Sequence, residues 1–127
     1  MTAMEKARAL REDANVHYNC AQAVLVAFAE RLGLSEEQAN ALGAHFGSGM
    51  RHGATCGALT GALMAAGLAG KDASAAAQLI GQFRAANGST DCRDLLQAAR
   101  ERGQVKKDNC DELVYQCVGF LKELLDG

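Results

Sequence analysis

The segment His52–Gly70 reads HGATCGALTGALMAAGLAG and contains no Asp, Glu, Lys or Arg. Its length is close to that of a membrane span. However, it consists mainly of Ala, Gly and Thr with only a few Leu and Met residues, so its transfer into lipid would be poorly favoured. The segment therefore predicts a helix buried at the centre of a helical bundle, and no insertion into a membrane.

Two glycines in this segment predict how the central helix packs. Gly57 and Gly61 are four residues apart and therefore lie on one face of a helix. A face without side chains allows a neighbouring backbone to approach closely, and this packing is not confined to membranes. We expect another helix to cross the central helix at these glycines.

The composition of the whole chain also favours helices. The 127 residues include no proline, and only 5% of them are aromatic, whereas β-rich chains need β-branched and aromatic runs separated by turn residues. No linker or low-complexity segment divides the sequence. We therefore expect an all-α fold, a compact single domain over residues 1–127 that contains about five to seven helices.

Start and stop signals place the expected helices. Asn19 with Gln22, and Ser35 with Gln38, have the spacing of capping boxes at helix N-termini. The glycine-rich stretch FGSGMRHGATC, residues 46–56, is expected to be a loop. The expected helices cover residues 2–13, 19–33 and 35–46, then 55 to between 67 and 70, 72 or 74 to 86, and 91–102, and a last one begins at 108 or 109.

Four of the five cysteines directly follow a residue type that caps helices. The pairs are Asn19-Cys20, Thr55-Cys56, Asp91-Cys92 and Asn109-Cys110. A thiol in the first turn of a helix lies near unpaired N–H groups and the positive end of the helix dipole, which make it easier to ionise. The thiolate is the form that attacks disulfides or binds metals, so this position indicates chemical use.

The spacing of the cysteines indicates that they meet. Cys20, Cys56 and Cys92 are separated by 36 residues each, and each interval contains one further helix. Alternate helices of an up-and-down bundle start at the same end, so these three thiols should gather there. The helix of Cys110 follows that of Cys92 directly, and its return to the same end is allowed but not required. Cys117 lies on an apolar helix face and is expected to belong to the core.

Charge and the first residues of the chain narrow the function classes. The formal net charge is −2, and no basic face is evident, so nucleic acid is not an expected partner. The start, MTAMEKARALRED, lacks the apolar run of a signal peptide, which predicts a cytoplasmic protein. In a reducing compartment, cysteines serve more often as redox centres, metal ligands or core residues than as structural disulfides.

The motif CGALTG, Cys56 to Gly61, resembles that of a family of redox-active bacterial proteins named for four spaced cysteines and a CGAxxG motif. The other three family cysteines match Cys20 in NCAQAV, Cys92 in DCRDLL and Cys110 in NCDELV. The resemblance implies redox activity carried by these four cysteines, with an unknown redox partner. The family's association with transporter genes implies a transport-linked role.

Three uses of the cysteines are consistent with the sequence. The first is thiol–disulfide or electron-transfer chemistry, with Cys56 as the attacking thiolate and Cys92, or next Cys20, as its partner. The second is an iron–sulfur or zinc site held by Cys20, Cys56, Cys92 and Cys110, with His52 as a further ligand. The third is a helical scaffold with inert buried thiols.

Weaker signals surround the cysteines. His17, His52, Arg51 and Arg93 lie close to a cysteine in sequence and could stabilise a thiolate, although each is by default an ordinary polar residue. His45 is expected to be structural. Faces lined by Gly and Ala also make a homodimer an expected assembly.

Overall fold

A computed structural model of the protein describes residues 1–127 as an all-α fold, which confirms the predicted fold class. The helices are α1 (Ala3–Glu12), α2 (Cys20–Leu32), α3 (Glu36–Gly43), α4 (Gly57–Leu68), α5 (Ala73–Asn87), α6 (Cys92–Glu101) and α7 (Lys106–Asp126). A π-helical turn, Gly49–Gly53, lies between α3 and α4. Counting that turn as a helix gives one more than the upper end of the predicted range.

Several helices begin where the capping residues predict. The side chain of Asn19 accepts from the amide of Gln22, whose own side chain accepts from the Asn19 amide, at 2.8 and 2.9 Å. Ser35 and Gln38 form the same reciprocal pair at the start of α3. Asp72 caps α5 by accepting from the amide of Ala75. These side chains satisfy N–H groups that a helix start leaves unpaired.

The predicted helix boundaries are wrong at the start of α4, at the end of α3 and at the start of α7. Thr55 does not cap α4, because it pairs with Asp91 in an isolated antiparallel bridge, and Cys56 takes the cap position. The third helix ends at Gly43 instead of residue 46. The side-chain Nδ2 group of Asn19 donates to the carbonyl of Gly43 and terminates the helix there.

The last helix begins earlier than predicted. It starts at Lys106, and an ion pair of 2.8 Å between Lys107 and Asp111, four residues apart, helps to stabilise the added turn. As a consequence, Cys110 lies in the second turn of α7 and not directly after its cap.

The core is organised around α2, which packs against α1, α3, α4 and α7. A β-carbon built at Gly57 would lie 2.7 Å from the carbonyl oxygen of Phe46, and one at Gly61 would lie 3.0 Å from that of Ala21. The close approach predicted at the two glycines is therefore confirmed. None of the helices combines the length and apolar character needed to cross a membrane.

The glycine-rich loop contains a left-handed turn. Four consecutive residues have positive φ, namely Ser48 (54°), Gly49 (63°), Met50 (58°) and Arg51 (68°). Left-handed backbone costs about 1–2 kcal/mol for each residue that carries a β-carbon. The turn is closed by a 2.8 Å hydrogen bond from the Ala54 amide to the Gly49 carbonyl. It brings the loop back over the start of α6.

The bridge between Thr55 and Asp91 joins the starts of α4 and α6. The amide of Cys56 donates to the Thr90 carbonyl at 2.8 Å, and the amide of Cys92 donates to the Ala54 carbonyl at 2.7 Å. The starts of two helices that are distant in sequence are thus held together, and each carries a cysteine at the junction.

Candidate functional site

The N-terminal ends of α2, α4, α6 and α7 meet around one cavity of about 640 Å³. The segment 13–19, which follows α1, covers one side of it. All four cysteines predicted as site residues line this cavity: Cys20, Cys56, Cys92 and Cys110. Cys117 does not line it, and with 1% of its surface exposed it lies in the hydrophobic core, as its apolar helix face predicts.

Cys110 differs from the other cysteines in exposure. It is partly exposed to the cavity, whereas Cys20, Cys56, Cys92 and Cys117 are buried, and all five are free thiols. A thiol that is to attack a disulfide must be reached by it. Among the cavity cysteines, Cys110 is the most exposed.

Cys20 and Cys110 interact directly. The two side chains are neighbours, and the interaction of a Cys20 thiol with a Cys110 thiolate lowers the pKa of Cys110 to about 7 and raises the pKa of Cys20 well above its usual value. The positive charges of Arg11 and Lys106 lower the pKa of Cys110 further, against the opposing effect of burial. The pair therefore favours one thiolate, on Cys110, beside one thiol, on Cys20.

Arg11 is a site residue that the sequence analysis missed. Only 8% of its surface is exposed, its Nε donates to Asp111 at 2.7 Å, and its Nη1 donates to the Tyr18 carbonyl at 2.7 Å. The signal was present in the sequence, because Arg11 follows Ala7 by one helical turn on the buried face of α1. A cation on an apolar helix face has to find a buried partner.

Lys106 and Asn109 complete the polar wall of the cavity. Lys106 forms no salt bridge. Its positive charge contributes to the lowered pKa of Cys110 and partly offsets the rise that burial causes in the pKa of Cys92. The sequence could not place these two residues in the wall, since the predicted start of the last helix was 108 or 109.

Cys56 and Cys92 have the opposite electrostatic environment. Burial raises the pKa of Cys56 to about 11, although the amides of Ala58 and Leu59 face its sulfur and favour the thiolate. Burial also raises the pKa of Cys92. At neutral pH both side chains are therefore thiols, and the expected ease of ionisation at a helix start is outweighed by loss of water.

The four cavity cysteines differ in their position at the helix starts and in their ionisation. Cys20 and Cys92 are the first residues of α2 and α6, and Cys56 precedes α4 as its cap residue. Cys110 lies in the second turn of its helix, yet it alone among the four has a lowered pKa. Its ionisation follows from its neighbours in space, not from the residue before it.

The other candidate residues lie mostly outside the cavity. His17 lines it, but His52, Arg51, Arg93 and His45 do not. The Nη2 group of Arg93 donates to the carbonyl of His52, and Arg51 contacts the ring of His45 at 2.8 Å. These contacts stabilise the loop before α4, so Arg51 and Arg93 support its shape and do not face a thiol.

The arrangement of side chains does not form a site for a single metal ion. No group of three or more His, Cys, Asp or Glu side chains is placed to hold one ion. A zinc ion bound by the four cysteines would therefore require their side chains to move, and His52 lies outside the cavity that they line.

Comparison with known proteins identifies the family. Residues 18–124 match the family described as "Putative redox-active protein (C_GCAxxG_C_C)", and the chain belongs to this family. The matched region contains all four cavity cysteines. Its motif reads CGALTG in this chain, with glycine after the cysteine, where the family name has GCAxxG. No curated protein and no solved structure matches the chain.

Proposed function

We propose that the protein exchanges electrons with disulfides through a dithiol formed by Cys110 and Cys20. The observation that carries this proposal is that Cys110, the most exposed of the four cysteines in one cavity, lies beside Cys20 and near the guanidinium of Arg11. Such a pair supplies the attacking and the resolving sulfur of thiol–disulfide exchange. It replaces Cys56 by Cys110 as the attacking residue and makes Cys20 its partner.

The reaction balances with a disulfide R–S–S–R as the oxidant. The Cys110 thiolate attacks one sulfur, the R–S–S–R bond breaks, and a mixed disulfide forms as RS⁻ leaves and takes the proton of Cys20. The new Cys20 thiolate then attacks the sulfur of Cys110 and releases the second RS⁻. Two electrons pass from the dithiol to the substrate, and two equivalents of a thiol would reduce the Cys20–Cys110 disulfide again.

Neighbouring charges support this assignment of roles. Arg11 and Lys106 stabilise the Cys110 thiolate before the attack and an anionic leaving group after it. Asp111 holds the guanidinium of Arg11 through Nε, so the cation stays beside the two sulfurs. Cys56 and Cys92 are buried and have raised pKa values, which argues against either of them as the attacking thiolate.

Disulfide mapping tests the pairing. We expect one equivalent of a small disulfide to convert the fully reduced protein to a species lighter by two hydrogens, with a Cys20–Cys110 bond found in the digested peptides by mass spectrometry. A Cys56–Cys92 bond as the first product would contradict the proposed pair and favour the pair predicted from sequence. Protein that keeps all its thiols free would contradict the redox function and favour the scaffold.

The pH dependence of alkylation tests the thiolate. Because the pKa of Cys110 is lowered to about 7, its rate of reaction with iodoacetamide should reach half of its maximum near that pH and fall as the thiolate is protonated below it. Cys56, with a pKa of about 11, serves as the internal control, and its labelling should still be rising at pH values where Cys110 has reached its plateau. Equal pH profiles for the two residues would contradict the assignment.

The cellular setting is a prediction only. A cytoplasmic location, a homodimer and a transport-linked role follow from the sequence and the resemblance, and each is proposed on that support alone.

A further inference from the structure

The cavity has the dimensions of a site for a small molecule. Its volume of about 640 Å³ falls within the range of about 300–1,000 Å³ that is usual for ligand pockets. Cys110 lies in its wall and is only partly exposed, so a disulfide has to enter the cavity to be attacked. A small disulfide can enter in this way more readily than a disulfide held in the surface of a folded protein.

The cations of the wall are incompletely paired. Arg11 uses Nε and Nη1 for Asp111 and the Tyr18 carbonyl, and its Nη2 forms no hydrogen bond. Lys106 has no carboxylate partner, while Lys107 shares Asp111 with Arg11. Asp13, the carboxylate of the cavity wall, accepts from two amides of its own loop through Oδ1.

Asn109 provides an independent indication of a ligand. Its surface is 3% exposed, and its Oδ1 accepts from Arg102 at 3.0 Å, which fixes the orientation of the amide. The Nδ2 group is then buried without a hydrogen-bond partner. An unpaired buried donor costs about 1–3 kcal/mol, so a rotation of the side chain that brings Nδ2 to a ligand acceptor in the cavity would remove that cost.

We infer that the cavity selects a low-molecular-weight disulfide bearing a carboxylate, which is bound by Arg11 Nη2, the ammonium of Lys106 and the amide of Asn109. The inference rests on the proposed function and names its substrate class. Attack converts the Cys110 thiolate to a neutral mixed disulfide, so the wall cations lose their negative partner inside the site during the reaction. A carboxylate on the substrate supplies that partner through charge-assisted hydrogen bonds.

Two small disulfides of matched shape test the inference. Dithiodipropionate carries two carboxylates, and its diamide is nearly isosteric and neutral. We would measure the rate at which each oxidises the reduced protein and divide it by the rate of the same disulfide with dithiothreitol, which removes intrinsic reactivity. The normalised rate should be about tenfold higher for the dicarboxylate.

A variant separates substrate binding from thiolate reactivity. Lys106→Gln also removes a charge that favours the Cys110 thiolate, so it should slow both probes, but only the loss of carboxylate binding changes their ratio. We expect the ratio to fall by about threefold or more. Lys122→Gln is the matched control, because Lys122 lies on the same helix outside the cavity and pairs with Asp126.

The outcomes separate the two proposals. Equal normalised rates for the two probes, or a ratio that Lys106→Gln leaves unchanged, would overturn the carboxylate preference while the dithiol function stands. If neither probe forms the Cys20–Cys110 disulfide, both proposals are overturned. A ratio that falls equally in Lys122→Gln would show that long-range charge and not the cavity wall is responsible, and it would also overturn the inference.

Discussion

Replacing Cys110 by serine should abolish the oxidation of the protein by small disulfides, with the initial rate falling by about a hundredfold or more. The serine hydroxyl keeps the size of the side chain but does not ionise near neutral pH. The remaining cavity thiols cannot take over at the same rate, because Cys20, Cys56 and Cys92 are all buried, and burial raises the pKa of each of them even without Cys110. The measurement is the loss of free thiols with time at pH 7.

Cys20→Ser should give a different result from Cys110→Ser. The attacking thiolate remains, but no sulfur resolves the mixed disulfide, so an adduct of one RS group on Cys110 should accumulate in intact-mass spectra. The serine hydroxyl keeps a donor beside the Cys110 sulfur, so the first attack at neutral pH should proceed at close to its original rate. The two serine variants therefore separate attack from resolution.

Cys92→Ser is the matched control for these variants, since Cys92 lines the same cavity at the start of a helix but is not hydrogen-bonded to Cys110. It should react at close to the rate of the unaltered protein and still form the Cys20–Cys110 disulfide. If Cys92→Ser or Cys56→Ser loses the reaction while Cys110→Ser keeps it, the assignment of the attacking thiol is wrong and the sequence-based choice is right.

Local rules predicted the helices well. The side chains of Asn19, Ser35 and Asp72 bond to amides within three residues, so their effect can be read from a short stretch of sequence. The close packing at Gly57 and Gly61 could also be predicted, because two small residues on one face leave space whichever helix fills it. These features do not depend on contacts between distant parts of the chain.

The chemistry of the thiols could not be predicted by the same rules. Whether Cys56 or Cys110 ionises depends on burial and on charges from α1 and α7, which are contributed by residues far apart in sequence. Arg11 lies about a hundred residues from its partner Asp111. The spacing predicted that Cys20, Cys56 and Cys92 come together and left Cys110 open, and the sequence misjudged which thiol is most easily ionised.

The left-handed turn at residues 48–51 was also beyond sequence reasoning. Glycine at 47, 49 and 53 indicates a loop, but Met50 and Arg51 are residues that seldom adopt positive φ. Their conformation is imposed by what surrounds them, including the bridge between Thr55 and Asp91 that follows the turn. A strained segment beside a cavity is a pattern often associated with functional sites.

Gly49→Ala should destabilise the protein by about 3 kcal/mol, the largest effect on stability that we expect from a single added methyl group. The φ of Gly49 is +63°, which an alanine adopts at a cost of about 1 kcal/mol. In addition, the new β-carbon would lie 2.6 Å from the Ala54 amide nitrogen and 2.7 Å from Cys92 Cβ. Backbone and a packed side chain would both have to move.

Urea unfolding of the reduced protein measures this effect, and Gly67→Ala is the matched control. Gly67 lies inside α4 with open space where its β-carbon would be, so alanine there should stabilise the protein by up to about 1 kcal/mol through its higher helix propensity. The difference between the two variants cancels the general effect of replacing glycine by alanine. A Gly49→Ala protein within 1 kcal/mol of the unaltered chain would contradict the prediction, because it would mean that the turn relaxes without displacing Cys92 or the bridge behind it.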